Sequence, residues 1–201
     1  MKISIVSGSH RANSQSDRVA DYFSGRIKAL GDHDIFSLSL ANNPLPLWDE
    51  TIWSGGEHWK DKWSPIAKEF QSSDAFVIIS PEWHGMVPSG LKNLFLLCTN
   101  KELGHKPGLI VSVSGSRNGA YPVSELRMSS TKNNRLVYIP DHIIVRDVES
   151  MFKEATPQSS DEDYLRKRID YSLSVLNQYG TAMKQIRDSG VIDFETYGNG
   201  M

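Results

Sequence analysis

The chain has 201 residues, 39% of them hydrophobic, with 22 Lys and Arg against 24 Asp and Glu and a formal net charge of −2. That length suits one α/β domain with a sizeable core, residues 1–201, and the near balance of charge supplies no electrostatic drive toward nucleic acid or an anionic membrane surface. A single cysteine, Cys98, excludes a disulfide framework within the chain and points to a reducing compartment. The N-terminus runs directly into a strand pattern, and the apolar runs are too short to span a bilayer, so a soluble cytoplasmic protein is expected.

Ile3-Ser4-Ile5-Val6 is a short β-branched run that predicts the first strand. It breaks at Ser7-Gly8-Ser9. A helix is then predicted over 14–30, with Val19, Tyr22, Phe23, Ile27 and Leu30 at steps of three and four, and Gly31 stopping it. Residues 35–40 alternate as a second strand. Pro44 and Pro46 make 42–49 a loop, and one helix is predicted from Trp59 through Trp63, Ile66 and Ala67 to Phe70. The continuous apolar run 75–79 predicts a central parallel strand, buried on both faces, that ends at Ser80-Pro81. A short apolar helix over 90–98 follows, then a fourth strand over 108–113 that ends at Ser114-Gly115-Ser116. A helix over 122–132 turns Val123, Leu126 and Met128 inward. Residues 136–139 and 143–145 share a fifth strand region that Pro140 interrupts. The last helix spans 161–187, with Tyr164, Leu165, Ile169, Leu173, Leu176, Met183 and Ile186 as its apolar face, and 191–201 has no period.

Five strands alternating with helices argue an open three-layer α/β/α sandwich with a parallel sheet. Ligands of such sheets bind beyond the carboxyl ends of the strands, where strand order reverses. With order 2-1-3-4-5 the first, third and fourth strands are adjacent, and their Gly-, Ser- and Pro-rich loops form one continuous site.

The first loop combines a helix start, whose leading N–H groups lack intrahelical partners, with Ser7, Ser9, Ser14 and Ser16, the amides of Asn13 and Gln15, and the guanidinium of Arg11. Such a set fits a doubly charged group such as a phosphate monoester; the same residues also read as an ordinary serine-rich turn with a helix cap. In the second loop, SPEWHGMVPSGLKN, Pro81 and Pro88 restrict the backbone, Gly85 frees it, and Trp83 and His84 are planar groups at the tip. A planar heterocycle could lie against this loop, although Trp83 also reads as a surface aromatic or an oligomer contact. No Walker A, G-x-G-x-x-G or G-x-S-x-G pattern occurs, and the histidines have no metal-ligand spacing with carboxylates or cysteine, so no metal is expected. Cys98 reads as a small core residue.

VSGSHRANSQS together with SPEWHGMVPSGLKN resembles the NADPH-dependent FMN reductase family, with its G-S-x-R-x-x-S pattern after the first strand and its P-E-Y-N-x-x-x-P-x-x-L-K-N-like pattern after the third. The resemblance implies a flavodoxin-like fold and no catalytic side chain, because FMN carries the chemistry. Electrons pass from NADPH or NADH through bound FMN to a small-molecule acceptor: a quinone, free flavin, azo compound or metal oxyanion. By the same resemblance Ser9, Arg11, Ser14 and Ser16, with the backbone at Gln15, hold the FMN phosphate. Pro81, Glu82, Trp83, His84 and Gly85 line the isoalloxazine, and Ser114 and Gly115 approach it, with Arg117 and Gly119 nearby. Trp83 stands where the family has Tyr, and His84 where it has Asn. The other readings of an FMN protein are a non-catalytic flavodoxin-like electron carrier and an FMN-binding regulatory protein; the near balance of charge argues against the carrier. Trp53, Trp59 and Trp63 exceed what one helix needs for its own core, so a homodimer or homotetramer is expected.

Overall fold

The computed structural model describes residues 1–200; Met201, the last residue of the expected domain, lies outside them. Five parallel strands, β1 (Lys2–Ser7), β2 (Asp34–Ser39), β3 (Ala75–Pro81), β4 (Pro107–Val113) and β5 (Val137–Val145), form one sheet in the order β2-β1-β3-β4-β5. This is the three-layer α/β/α sandwich expected from the alternation of elements, with the flavodoxin-like fold that the resemblance implied. β3 and β4 are buried at every residue, which explains their largely apolar sequences, broken only by Ser80 and Ser112.

Side chains alternate across the sheet and divide the core in two. Ile3, Ile5, Val77, Ile79, Leu109 and Val111 face α1 (Gln15–Leu30) and α8 (Ser160–Asp188). Val6, Phe76, Ile78 and Ile110 face α4 (Ser64–Gln71), α5 (Ser89–Leu97) and α7 (Ala120–Ser129).

Four expectations are corrected. The helix expected over 59–70 is two, α3 (Glu57–Lys62) and α4, because Pro65 lacks an N–H and fits only a first helical turn. Two four-residue helices, α2 (Thr51–Ser54) and α6 (Asn100–Leu103), are too short to show a period. Pro140 does not interrupt β5. The strand is an edge, and its register shifts between the Gly108–Tyr138 and Ile110–His142 pairs, so the proline sits where no ladder N–H is missed. Leu30, Met128, Tyr164 and Ile186 are exposed rather than inward. The tryptophans also divide: Trp59 and Trp63 are buried in this chain's own core, whereas Trp53 is 78% exposed. No helix among the described residues is long and apolar enough to cross a membrane.

Candidate functional site

All five strands run parallel, so their carboxyl ends lie along one edge of the sheet. At β1 the chain turns sharply. The Gly8 N–H donates to the Ile79 carbonyl at 2.8 Å, tying the β1 loop to the end of β3. A Cβ at Gly8 would lie 2.7 Å from that carbonyl oxygen and 2.7 Å from Leu91 Cδ2, so only glycine allows this approach. Asn13, at φ 54°, then swings the chain into α1. Ser14 is the N-cap: its Oγ accepts the Asp17 N–H at 3.1 Å and donates to Asp17 Oδ2 at 2.8 Å. Asp17 Oδ1 also accepts from Ser39 at 2.7 Å. The Ser14 hydroxyl is thus spent on Asp17, and the groups left to meet an anion are the leading N–H groups at Gln15 and Ser16, the Ser9 and Ser16 hydroxyls, and Arg11. Arg11 is exposed, and among the described residues its guanidinium makes no hydrogen bond.

At β3 the chain forms a two-residue hairpin. Trp83 and Met86 exchange both backbone hydrogen bonds, at 3.1 and 2.9 Å, across His84 at φ 51° and Gly85 at φ 70°. Positive φ at both central positions is the type I′ requirement. A Cβ on Gly85 would meet the Tyr121 ring at 3.7 Å, an ordinary contact, so φ rather than space is what calls for glycine here. The Trp83 indole stands edge-on to His10, with centroids 4.6 Å apart and planes at 88°. The carboxylate of Glu82 accepts the N–H groups of Gly119 at 2.8 Å and Tyr121 at 3.3 Å, so it caps the start of α7 and anchors its own loop. Glu125 accepts the Val87 N–H at 2.7 Å and pairs with Lys92. Burial pushes the Glu125 carboxyl up, but the Lys92 ammonium and the Val87 N–H outweigh it and hold the pKa below the ordinary value. Asn93 pins the 46–48 loop, donating to the Pro46 carbonyl at 2.8 Å and accepting the Trp48 N–H at 2.7 Å.

Beyond β4, Ser114 is buried, its Oγ accepting the Ser116 N–H at 3.2 Å. The segment after β5 joins it: Ser114 N–H donates to the Val145 carbonyl, and Val148 N–H to the Ser114 carbonyl.

These loops enclose a cleft of about 200 Å³ lined by Ser9, Arg11, Ser14, Gln15, Ser16, Pro81, Glu82, Trp83, Val113, Gly115, Val148 and Glu149. Ser114 lies behind it, His84 is exposed at the hairpin tip, and Gly85 faces Tyr121; these three do not line it. Val113, Val148 and Glu149 were not among the expected residues. The signal for the last two was the end of the fifth strand, which shares the edge with the others and which Pro140 obscured. A wider groove of about 580 Å³, lined by Trp48, Trp53, Trp63, Lys68 and neighbours, contains no residue of the loops that follow β1, β3 and β4.

Residues 1–149 match the family described as NADPH-dependent FMN reductase. The FMN-dependent NADPH-azoreductase of Staphylococcus saprophyticus is 26% identical over 172 residues, covering 84% of this chain and 90% of that protein. Solved structures that share the fold include two oxidoreductases. An oxidoreductase from Corynebacterium diphtheriae has a TM-score of 0.70 at 16% identity, covering 90% of this chain and 97% of its own. The flavoenzyme NAD(P)H:(acceptor) oxidoreductase of Paracoccus denitrificans has a TM-score of 0.68 at 16% identity, covering 89% and 98%.

Proposed function

We propose, for a chain that belongs to the NADPH-dependent FMN reductase family, that the strand-end cleft is its FMN site and that it reduces a planar small-molecule acceptor, an azo compound or a quinone, at the expense of NADPH or NADH. The observation that carries this reading is the donor set at one end of the cleft. A helix start with unpartnered N–H groups, two serine hydroxyls and a free guanidinium converge there, and that set suits a phosphate monoester. FMN when bound supplies the redox chemistry between nicotinamide and acceptor.

The protein's own residues bind and orient. Ser9, Arg11, Ser16 and the N–H groups at Gln15 and Ser16 hold the phosphate, and Ser14, through its cap, keeps those N–H groups in place. Trp83, Pro81 and Gly115 give the ring its walls, and Glu82 fixes their spacing by tying the hairpin to α7. His84, Gly85 and Ser114 take part through the backbone of the two loops that carry them. Azo compounds are proposed as acceptors because the curated relative is an azoreductase, and quinones because they share the planarity that an indole-walled cleft favours. The chain is read as one domain acting in the cytoplasm.

FMN is expected to bind in preference to riboflavin, because the phosphate meets most of the donors. Arg11→Ala should cost FMN about 1.5–3 kcal/mol and leave riboflavin unaffected. Fluorescence titration of both flavins, followed by NADPH under anaerobic conditions, tests the reading. Equal affinity for the two flavins would sink the phosphate assignment. Bound FMN that NAD(P)H fails to bleach would indicate an electron carrier or a regulatory protein instead.

The assembly is proposed to be a homodimer or homotetramer. With Trp59 and Trp63 spent in the core, the support comes from exposed Met86, Leu96, Tyr121 and Met128, carried on α5, α7 and the hairpin beside the cleft. Light scattering at micromolar concentration should give at least twice the chain mass of 22.6 kDa, and a monomer mass would contradict it.

A further inference from the structure

Arg18 has no place in the anion-binding loop, yet its guanidinium ties that loop's helix start to the segment after β5. It lies one turn into α1, and its Nε and Nη2 donate to the Gln15 side-chain oxygen at 2.9 and 2.7 Å. Its two terminal nitrogens also reach across to a segment more than a hundred residues away, donating to the Val148 and Met151 carbonyls. Val148 and Glu149 line the cleft. The Val148 N–H donates to the Ser114 carbonyl at 3.1 Å, so Val148 is held through both its N–H and its carbonyl, by the β4 loop and by α1. Gln15 is the first residue of α1, and Arg18 bonds it and the gripped segment together, which puts that segment beside the helix start.

We propose that Arg18 is a positioning residue that closes the phosphate end of the cleft, an inference that rests on the FMN reading above. A planar guanidinium can serve Gln15 and two separate carbonyls at once, whereas an ammonium on a flexible stem cannot hold the same fork. Without the fork, the backbone of the 148–151 segment is no longer fixed relative to the helix start. The N–H groups of Gln15 and Ser16 then face open solvent instead of a shaped, partly desolvated pocket, and their attraction for a phosphate weakens.

The test is flavin titration of the full chain and of two variants, each with FMN and riboflavin, alongside thermal unfolding. Arg18→Met should raise the Kd for FMN about tenfold or more and leave that for riboflavin within about twofold. Arg18→Lys keeps the charge and loses the fork, and it should weaken FMN by the same order; it also carries the test should the Met variant not fold. Equal loss for both flavins, or no loss for either, overturns the positioning role. Full FMN affinity in Arg18→Lys overturns it too, by assigning the effect to charge. Failure of the parent protein to prefer FMN defeats the underlying reading instead, and the same titration shows which has failed.

Discussion

Glu162→Ala is expected to destabilise the protein by about 3–5 kcal/mol, the range for removing one partner of a buried ion pair. Glu162 is 1% exposed at the start of α8. Its Oε1 accepts the Phe152 N–H at 2.9 Å and the Arg166 guanidinium at 2.6 Å, and its Oε2 accepts the Gln158 N–H at 2.8 Å. Arg166 in turn donates to the Ala155 and Glu154 carbonyls, both at 2.7 Å, and lies over the stacked Tyr22 and Phe152 rings. Alanine would leave the Phe152 and Gln158 N–H groups without an acceptor and the half-buried Arg166 without its counter-charge, and it would cut the ties of these two residues to α8. Urea unfolding at neutral pH measures the loss; a change below about 1 kcal/mol would show that solvent replaces the carboxylate freely.

The same group sets a pH dependence. Burial raises the Glu162 carboxyl, but the Gln158 N–H, the Arg166 guanidinium and the Phe152 N–H together hold it below its ordinary value of 4.5. A folded pKa below the unfolded one gives stability that is present above pH 4.5 and is lost as pH falls through the folded value. The gap between the parent and Glu162→Ala should therefore narrow on acidification through that window.

Gly8→Ala is expected to cost about 1–3 kcal/mol and to weaken FMN binding more than its effect on stability would suggest. The added methyl would sit 2.7 Å from the Ile79 oxygen and from Leu91 Cδ2. Leu91 can rotate. The Ile79 carbonyl cannot retreat without breaking the Gly8–Ile79 hydrogen bond, and that bond joins the two loops that bind opposite ends of the proposed cofactor. Denaturant midpoints and FMN titration of the same preparation separate the two effects. A destabilised variant with parental FMN affinity would mean that the cleft tolerates separation of its loops.

Much of this architecture was legible locally. The apolar run 75–79 reads as a central strand because burial on both faces leaves no room for polar alternation, and 108–113 reads as the next strand. α1 could be placed by its period and its Ser14 cap, and the first and third strand-end loops by their Gly, Ser and Pro content. Short elements were not legible: α2 and α6 are single turns, and the break before α4 depended on how one proline, Pro65, is accommodated. Composition could not sort the tryptophans either. Trp63 packs edge-on against Phe70 and Trp59 is buried in the same layer of the core, while Trp53, six residues before Trp59, projects into solvent.

The sequence by itself determined the order of elements and which loops carry donors for an anion, because both are set by residues near one another in the chain. Only the tertiary structure decided how those donors are spent and what closes the cleft. Ser14 turns its hydroxyl to Asp17, Glu82 caps a helix that begins 38 residues later at Ala120, and Arg18 grips carbonyls 130 and 133 residues away. A hydrogen bond from a guanidinium to a distant backbone carbonyl asks nothing of the side chain at the far end, so it leaves no pattern in the sequence; it exists only once the parallel sheet has brought the ends of β1 and β5 to one edge.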